Sequence, residues 1–168
     1  ENVAYDHIEM TSSVSSALDN ADFIYYGSLV QRTHHGFSSI QDMLALKKKT
    51  TVGMYDINLR PNCYSTRIIQ ESLKYTDILK LNSDELTEVG AMLYNTRDED
   101  ECIRSLFQDY PIRMISLTGG STGSKMLTPD KEYVTEPDHS IRVVDTVGAG
   151  DAYSSIVAAG FIKGWDPQ

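Results

Sequence analysis

Short apolar runs alternate along this chain with longer amphipathic ones, and that alternation limits the fold more than any other feature. Runs of strand character span Phe23 to Tyr26, Thr51 to Ile57, Asp77 to Leu81 and Met114 to Leu117. Between and around them, helical spacing of apolar residues predicts helices over Ser12 to Asn20, His35 to Lys49, Ser65 to Tyr75, Ser83 to Tyr94 and Asp98 to Tyr110. Strands that alternate with helices build a mostly parallel sheet covered on both faces, a three-layer α/β/α architecture. After Leu117 the rhythm changes. Ser124 to Leu127, Lys131 to Thr135 and Ile141 to Val144 read as short strands, with turn signals at Pro129-Asp130 and Pro137-Asp138. A final helix is expected over Ala152 to Gly164. The pattern is that of one domain with a hairpin-rich insertion near its C-terminal edge.

Composition removes several classes of function. Fifteen basic against 24 acidic residues give a net charge of −9, and the largest basic cluster is Lys47-Lys48-Lys49. Nucleic acid and anionic membrane surfaces are therefore poor partners. Cys63 and Cys102 stand far apart with no His or Cys at ligand spacing, which argues against a disulfide framework and a zinc site. No apolar run has transmembrane length, and the chain is expected in the cytoplasm. His7, His34, His35 and His139 lack acidic or thiol neighbours at ligand spacing, and the ten tyrosines are read as core or surface residues.

Four strand-to-loop junctions carry the candidate chemistry. In open α/β sheets ligands bind beyond the carboxyl ends of the strands, where each of these junctions falls. Asp145-Thr146-Val147-Gly148-Ala149-Gly150-Asp151 is a glycine turn that opens a helix. The free amides and dipole of such a helix attract an anion, and glycine keeps the approach clear. Asp151 at that end would repel phosphate, so it reads either as a helix cap or as an acceptor of a proton from an attacking hydroxyl. Asp56-Ile57-Asn58-Leu59-Arg60-Pro61 reads either as a turn with Arg60 in solvent or as a segment whose planar guanidinium holds an anion. Asn82-Ser83-Asp84-Glu85 has the form of a capping box. Thr118-Gly119-Gly120-Ser121-Thr122-Gly123 imitates a P-loop, but Ser124 separates Gly123 from Lys125 and strand, not helix, follows. The case for a dinucleotide fold is weaker still, because Gly148-Ala149-Gly150 comes late and lacks a third glycine.

Taken in order, these four segments resemble the signatures of the ribokinase family, the PfkB-type carbohydrate and nucleoside kinases. Val3-Ala4-Tyr5-Asp6 and Tyr26-Gly27-Ser28-Leu29 are similar to fructokinase-type members, on weaker strings. The resemblance implies a ribokinase-like fold and transfer of a phosphoryl group from ATP to a sugar hydroxyl, with fructose as the leading acceptor. Acceptors left open are 2-keto-3-deoxygluconate, ribose and a nucleoside, and a non-catalytic relative is the remaining alternative.

The resemblance also distributes roles. It makes Asp151 the base and Gly148, Ala149 and Gly150 the anion hole. Thr118, Gly120 and Gly123 become the nucleotide loop, and Asn58 and Arg60 face sugar and phosphate. Asn82 and Glu85 are implicated in holding magnesium and phosphate through water, a role compatible with capping. In some relatives a monovalent cation such as K+ lies behind the anion hole, which here assigns Asp145 and the Val147 carbonyl as its ligands. Family members are longer, so a chain running from Glu1 to Trp165-Asp166-Pro167-Gln168 reads as the central and C-terminal part of one kinase domain. The lid and the N-terminal sugar-binding segment are expected to lie outside it, and a homodimer would form through that lid.

Overall fold

The computed structural model describes residues 3–137, 140, 145 and 147–165. Six strands form one sheet in the order of the sequence: β1 (Phe23–Gly27), β2 (Val52–Asp56), β3 (Ile78–Asn82), β4 (Met114–Thr118), β5 (Ser124–Leu127) and β6 (Glu132–Thr135). The first four are parallel, and β5 and β6 add antiparallel to the edge. The hairpin-rich region is thus a continuation of the sheet, not an insertion beside it. The strand expected over Ile141 to Val144 and the Pro137-Asp138 turn fall wholly or partly outside the described residues.

Helices α1 (Ser12–Asp19), α2 (His34–Ala45), α3 (Thr66–Leu73), α4 (Ser83–Tyr94) and α5 (Glu99–Asp109) precede or connect the parallel strands, and α6 (Ala149–Lys163) follows β6. Parallel strands laid down consecutively in one direction, each through a right-handed crossover, put their connecting helices on the same face. The main core records this: Ile40 and Leu44 of α2, Ile69 and Leu73 of α3, Leu86 and Val89 of α4 and Leu106 of α5 pack on Tyr55, Leu79, Leu81, Ile115 and Leu117. Each fully buried Leu or Ile contributes about 1.5–3 kcal/mol relative to exposure. Alternation along the strands sends Met54, Ile78 and Met114 to the opposite face, where Val157, Tyr153, Ala158 and Phe161 of α6 meet them. The three-layer architecture therefore holds, with α6 as the third layer.

Side-chain caps start the helices where the sequence places polar residues. Thr11, Thr33, Ser65, Asn82 and Asp98 each accept an amide N–H from the first turn that follows. Two ends fall short of expectation. The helix predicted to Lys49 stops at Ala45, because the Leu46 and Lys47 amides tighten onto the Met43 and Leu44 carbonyls and turn the chain toward β2. Lys47 then pairs with Asp77 at 3.0 Å instead of extending a helical face. The helix predicted to Tyr75 closes at Leu73 through the same kind of contact, Tyr75 N–H to the Ser72 carbonyl.

Candidate active site

The register of the parallel strands brings three of the four junctions to one edge of the sheet. Gly27 lies beside Asp56, Asp56 beside Lys80, and Asn82 beside Thr118. β5 begins at Ser124 opposite Thr118, and β6 ends at Thr135 opposite Ser124, so Gly123 belongs to the same edge.

Asn82 and Glu85 form the capping box. The Asn82 Oδ1 accepts the Glu85 amide at 2.8 Å, and Glu85 Oε2 accepts the Asn82 amide at 2.9 Å. The second Glu85 oxygen accepts the Leu59 amide at 2.8 Å. This one carboxylate ties the loop after β2 to the start of α4. Asn58 takes a φ of 37° in that loop and, like Arg60, is exposed.

The glycine loop after β4 owes its shape to Gly120 and Gly123. Gly120 has a φ of 60°, Gly123 a φ of 94°, and a Cβ at Gly123 would stand 2.1 Å from the Thr135 carbonyl oxygen. The Gly119 amide donates to the Gly123 carbonyl at 2.8 Å, closing the loop on itself. The strand that follows, β5, confirms that this is no Walker loop.

The last junction turns at Gly148, whose φ of 78° makes it the left-handed residue before α6. The helix starts at Ala149, three residues earlier than expected. Gly148 has no side chain to cap that end, and among the described residues nothing accepts from the amides of its first turn. Asp151 is the third residue of the helix and exposed, which removes the reading of it as the cap. Asp145 accepts the Val147 amide at 2.9 Å, and both residues are exposed.

The two glycine turns face one another. Thr118, Gly120 and Gly123 line a cleft of about 480 Å³ together with Ala149, Gly150 and Tyr153. A second cleft, which shares Thr118 and Gly120 with the first, is lined by Asn82, Ser83 and Asp84. Three sets of candidate residues thus meet around Thr118 and Gly120. Asn58 and Arg60 sit on the same edge of the sheet but line neither cleft. Asp151 borders a third cleft with Phe23, Tyr25 and Ser154.

Asp56 departs from the role the resemblance gives its segment. Its side chain turns inward, and the residue is 3% exposed. It accepts from Lys80, Tyr25 and Ser154 beneath α6. Burial, and then the Asp56 carboxylate beside it, push the Tyr25 hydroxyl well above the usual tyrosine range. Sequence reasoning missed this group. A lysine inside the apolar run Ile78-Leu79-Lys80-Leu81 was the available signal, since a buried ammonium needs a partner. Tyr153 was passed over as well, and its hydroxyl accepts from Ser116 at 3.0 Å.

A glycine-shaped backbone loop after β4 and the start of α6, with a carboxylate at the helix's third position, thus lie close together at the carboxyl ends of the strands. The chain belongs to the pfkB family of carbohydrate kinases, which it matches over residues 1–168. It is 40% identical over 95 residues to the ATP-dependent ribose-1-phosphate kinase of Halopiger xanaduensis, covering 56% of this chain and 27% of that protein. The crystal structure of fructokinase with bound ATP from Xylella fastidiosa shares its fold with a TM-score of 0.71 at 19% identity, over 85% of this chain and 44% of that one. An E. coli protein described as a candidate Ribokinase II, in its apo form, reaches a TM-score of 0.80 at 16% identity, over 98% of this chain and 52% of that one. The chain spans about half or less of the length of these relatives. Among the described residues, no helix is long and apolar enough to cross a membrane.

Proposed function

We propose that the protein is an ATP-dependent sugar kinase that moves the γ-phosphoryl group to a sugar hydroxyl, with fructose as the acceptor. The observation that carries this reading is the single cleft shared by Thr118, Gly120 and Gly123 with Ala149 and Gly150. In it, the glycine loop after β4 lets the nucleotide approach the backbone, with Asn82 beside it. The amides of Gly148, Ala149 and Gly150 offset charge on the transferring group. Asp151 accepts the hydroxyl proton, and Asn58 and Arg60 bind the acceptor at the neighbouring strand end.

Among the described residues, no cluster of three or more His, Cys, Asp or Glu side chains could hold a metal by itself. Both Glu85 oxygens already accept backbone amides. The donor set would suit a hydrated magnesium ion, whose water Asn82 and Glu85 would hold. Such an ion supplies charge neutralisation on the phosphates. A K+ ion held by Asp145 and the Val147 carbonyl, a homodimer formed through a lid and action in the cytoplasm belong to the same proposal.

The test is ADP formation by the full-length protein with magnesium-ATP across a sugar panel. Turnover on fructose supports the reading, and turnover on another sugar replaces only the acceptor. The likeness to a ribose-1-phosphate kinase makes a phosphorylated pentose the second acceptor to try. ATP bound without turnover on any sugar would refute the proposal.

A further inference from the structure

Beside the Ser116–Tyr153 hydrogen bond, the sheet face under α6 carries one charged group, below the Gly148 to Asp151 turn. There the Asp56 carboxylate accepts from Lys80 Nζ at 2.9 Å on Oδ1 and 2.8 Å on Oδ2. Oδ2 also accepts from the Tyr25 hydroxyl at 2.8 Å and from Ser154 Oγ at 3.1 Å. The four residues come from β1, β2, β3 and α6, and Asp56, Lys80 and Ser154 are 3%, 9% and 3% exposed. Ser154 Oγ also lies 2.9 Å from the Gly150 carbonyl, so its one proton is shared between the sheet and the first turn of the helix.

Stability alone is a poor reason for this arrangement. A buried ion pair stabilises no more, and often less, than apolar residues of the same volume. A cation near a helix N-terminus also opposes the helix dipole. Lys80 Nζ stands just there, 3.8 Å from the position a Cβ on Gly150 would occupy. What the arrangement achieves is registration. Asp56 opens the segment that leads to Asn58 and Arg60, and Lys80 stands two residues before Asn82. Ser154 lies one turn beyond Asp151. One carboxylate therefore fixes three strand-end motifs relative to one another.

We propose that Asp56, Lys80 and Ser154 are positioning residues: a buried latch that sets the height of the Asp151-bearing helix over the ends of β2 and β3. The role in turnover rests on the kinase reading above. Ser154→Ala removes only the link to the helix and leaves the ion pair whole. In the full-length protein we expect kcat to fall roughly tenfold or more, as for a lost hydrogen bond to a buried charge, with KM for ATP within about twofold. Amide exchange over 152–155, the first hydrogen-bonded amides of α6, should quicken by a similar factor while β3 amides keep their rates. The double variant Asp56→Leu with Lys80→Met separates registration from stability. It should melt no lower than wild type yet turn over slowly. Wild-type turnover and exchange in folded Ser154→Ala, or wild-type turnover in a stable double variant, would overturn the latch. Should the wild-type protein phosphorylate no sugar, the kinase reading fails, and the exchange rates of Ser154→Ala alone decide whether the latch exists.

Discussion

Replacing Gly123 with alanine tests the proposed nucleotide loop at its tightest point. Gly123 has φ 94° and ψ −153°, a region occupied almost only by glycine, and an alanine held there costs about 1–3 kcal/mol. Its Cβ would also stand 2.1 Å from the Thr135 carbonyl oxygen and 3.2 Å from Pro137 Cδ. The nearer of these is backbone at the end of β6, which cannot swing aside as a side chain does. Forcing a methyl into such a site costs about a further 1–3 kcal/mol, for a total of about 2–6 kcal/mol. Gly120 in the same loop is the internal control. It has φ 60° with nothing within 4 Å of its Cβ position, so alanine there pays only the left-handed penalty of about 1–2 kcal/mol. Denaturant unfolding of both variants in the full-length protein should rank Gly123→Ala as the more damaging, at unchanged m-value. ATP affinity should fall more in Gly123→Ala, since relief of the overlap moves β6 and the cleft wall with it. Equal destabilisation by the two variants would refute the reasoning.

The two cysteines should differ sharply toward alkylating reagents. Burial pushes the Cys102 thiol up to about 12 and hides it under α4, whereas Cys63 is half-buried. At neutral pH one thiol should label in the native protein and both after denaturation; fast native labelling of Cys102 would contradict its place in the core. The Asp6–Arg32 pair predicts a pH dependence. The guanidinium, at 2.9 and 2.7 Å from the two carboxylate oxygens, holds the Asp6 carboxyl below its ordinary 3.8. A folded-state value below the unfolded one means that the pair's contribution is complete above the ordinary value and is lost as pH falls through the folded one. The melting-temperature gap between wild type and Asp6→Asn should therefore be constant near neutrality and close in acid below about pH 4. A gap that widens in acid would reverse the sign of the argument.

Most of the fold was legible because parallel strands buried on both faces read as unbroken apolar runs, as Ile78-Leu79 and Met114-Ile115 do. The capped helix starts were legible for a local reason, since a Ser, Thr, Asn or Asp side chain reaches only the next turn. Helix ends were less so. Where α2 stops depends on the point at which the chain must turn to pair β2 with β1, a long-range contact that Lys47-Lys48-Lys49 does not encode. The glycine junctions stood out because Gly123 and Gly148 adopt backbone that other residues resist. The Asp56 group did not, because its partners Tyr25, Lys80 and Ser154 lie 31, 24 and 98 positions away. Only Lys80, a charge in an apolar strand, marked it. Asp151 was placed correctly at the helix start, but whether it caps or projects depended on Gly148 taking the cap position three residues earlier.

The most direct test of the account separates binding from chemistry at Asp151. In the full-length protein, ATP affinity by calorimetry and sugar phosphorylation by ADP release should be measured for wild type and Asp151→Asn side by side. The account predicts that the variant binds ATP within about twofold of wild type, because an uncharged side chain leaves the amides of Gly148 to Gly150 in place. Its turnover should fall by a factor of about 10²–10⁴, the range of general-base loss. Sugar phosphorylation at the wild-type rate by Asp151→Asn would contradict the assignment of the base and, with it, the proposed mechanism.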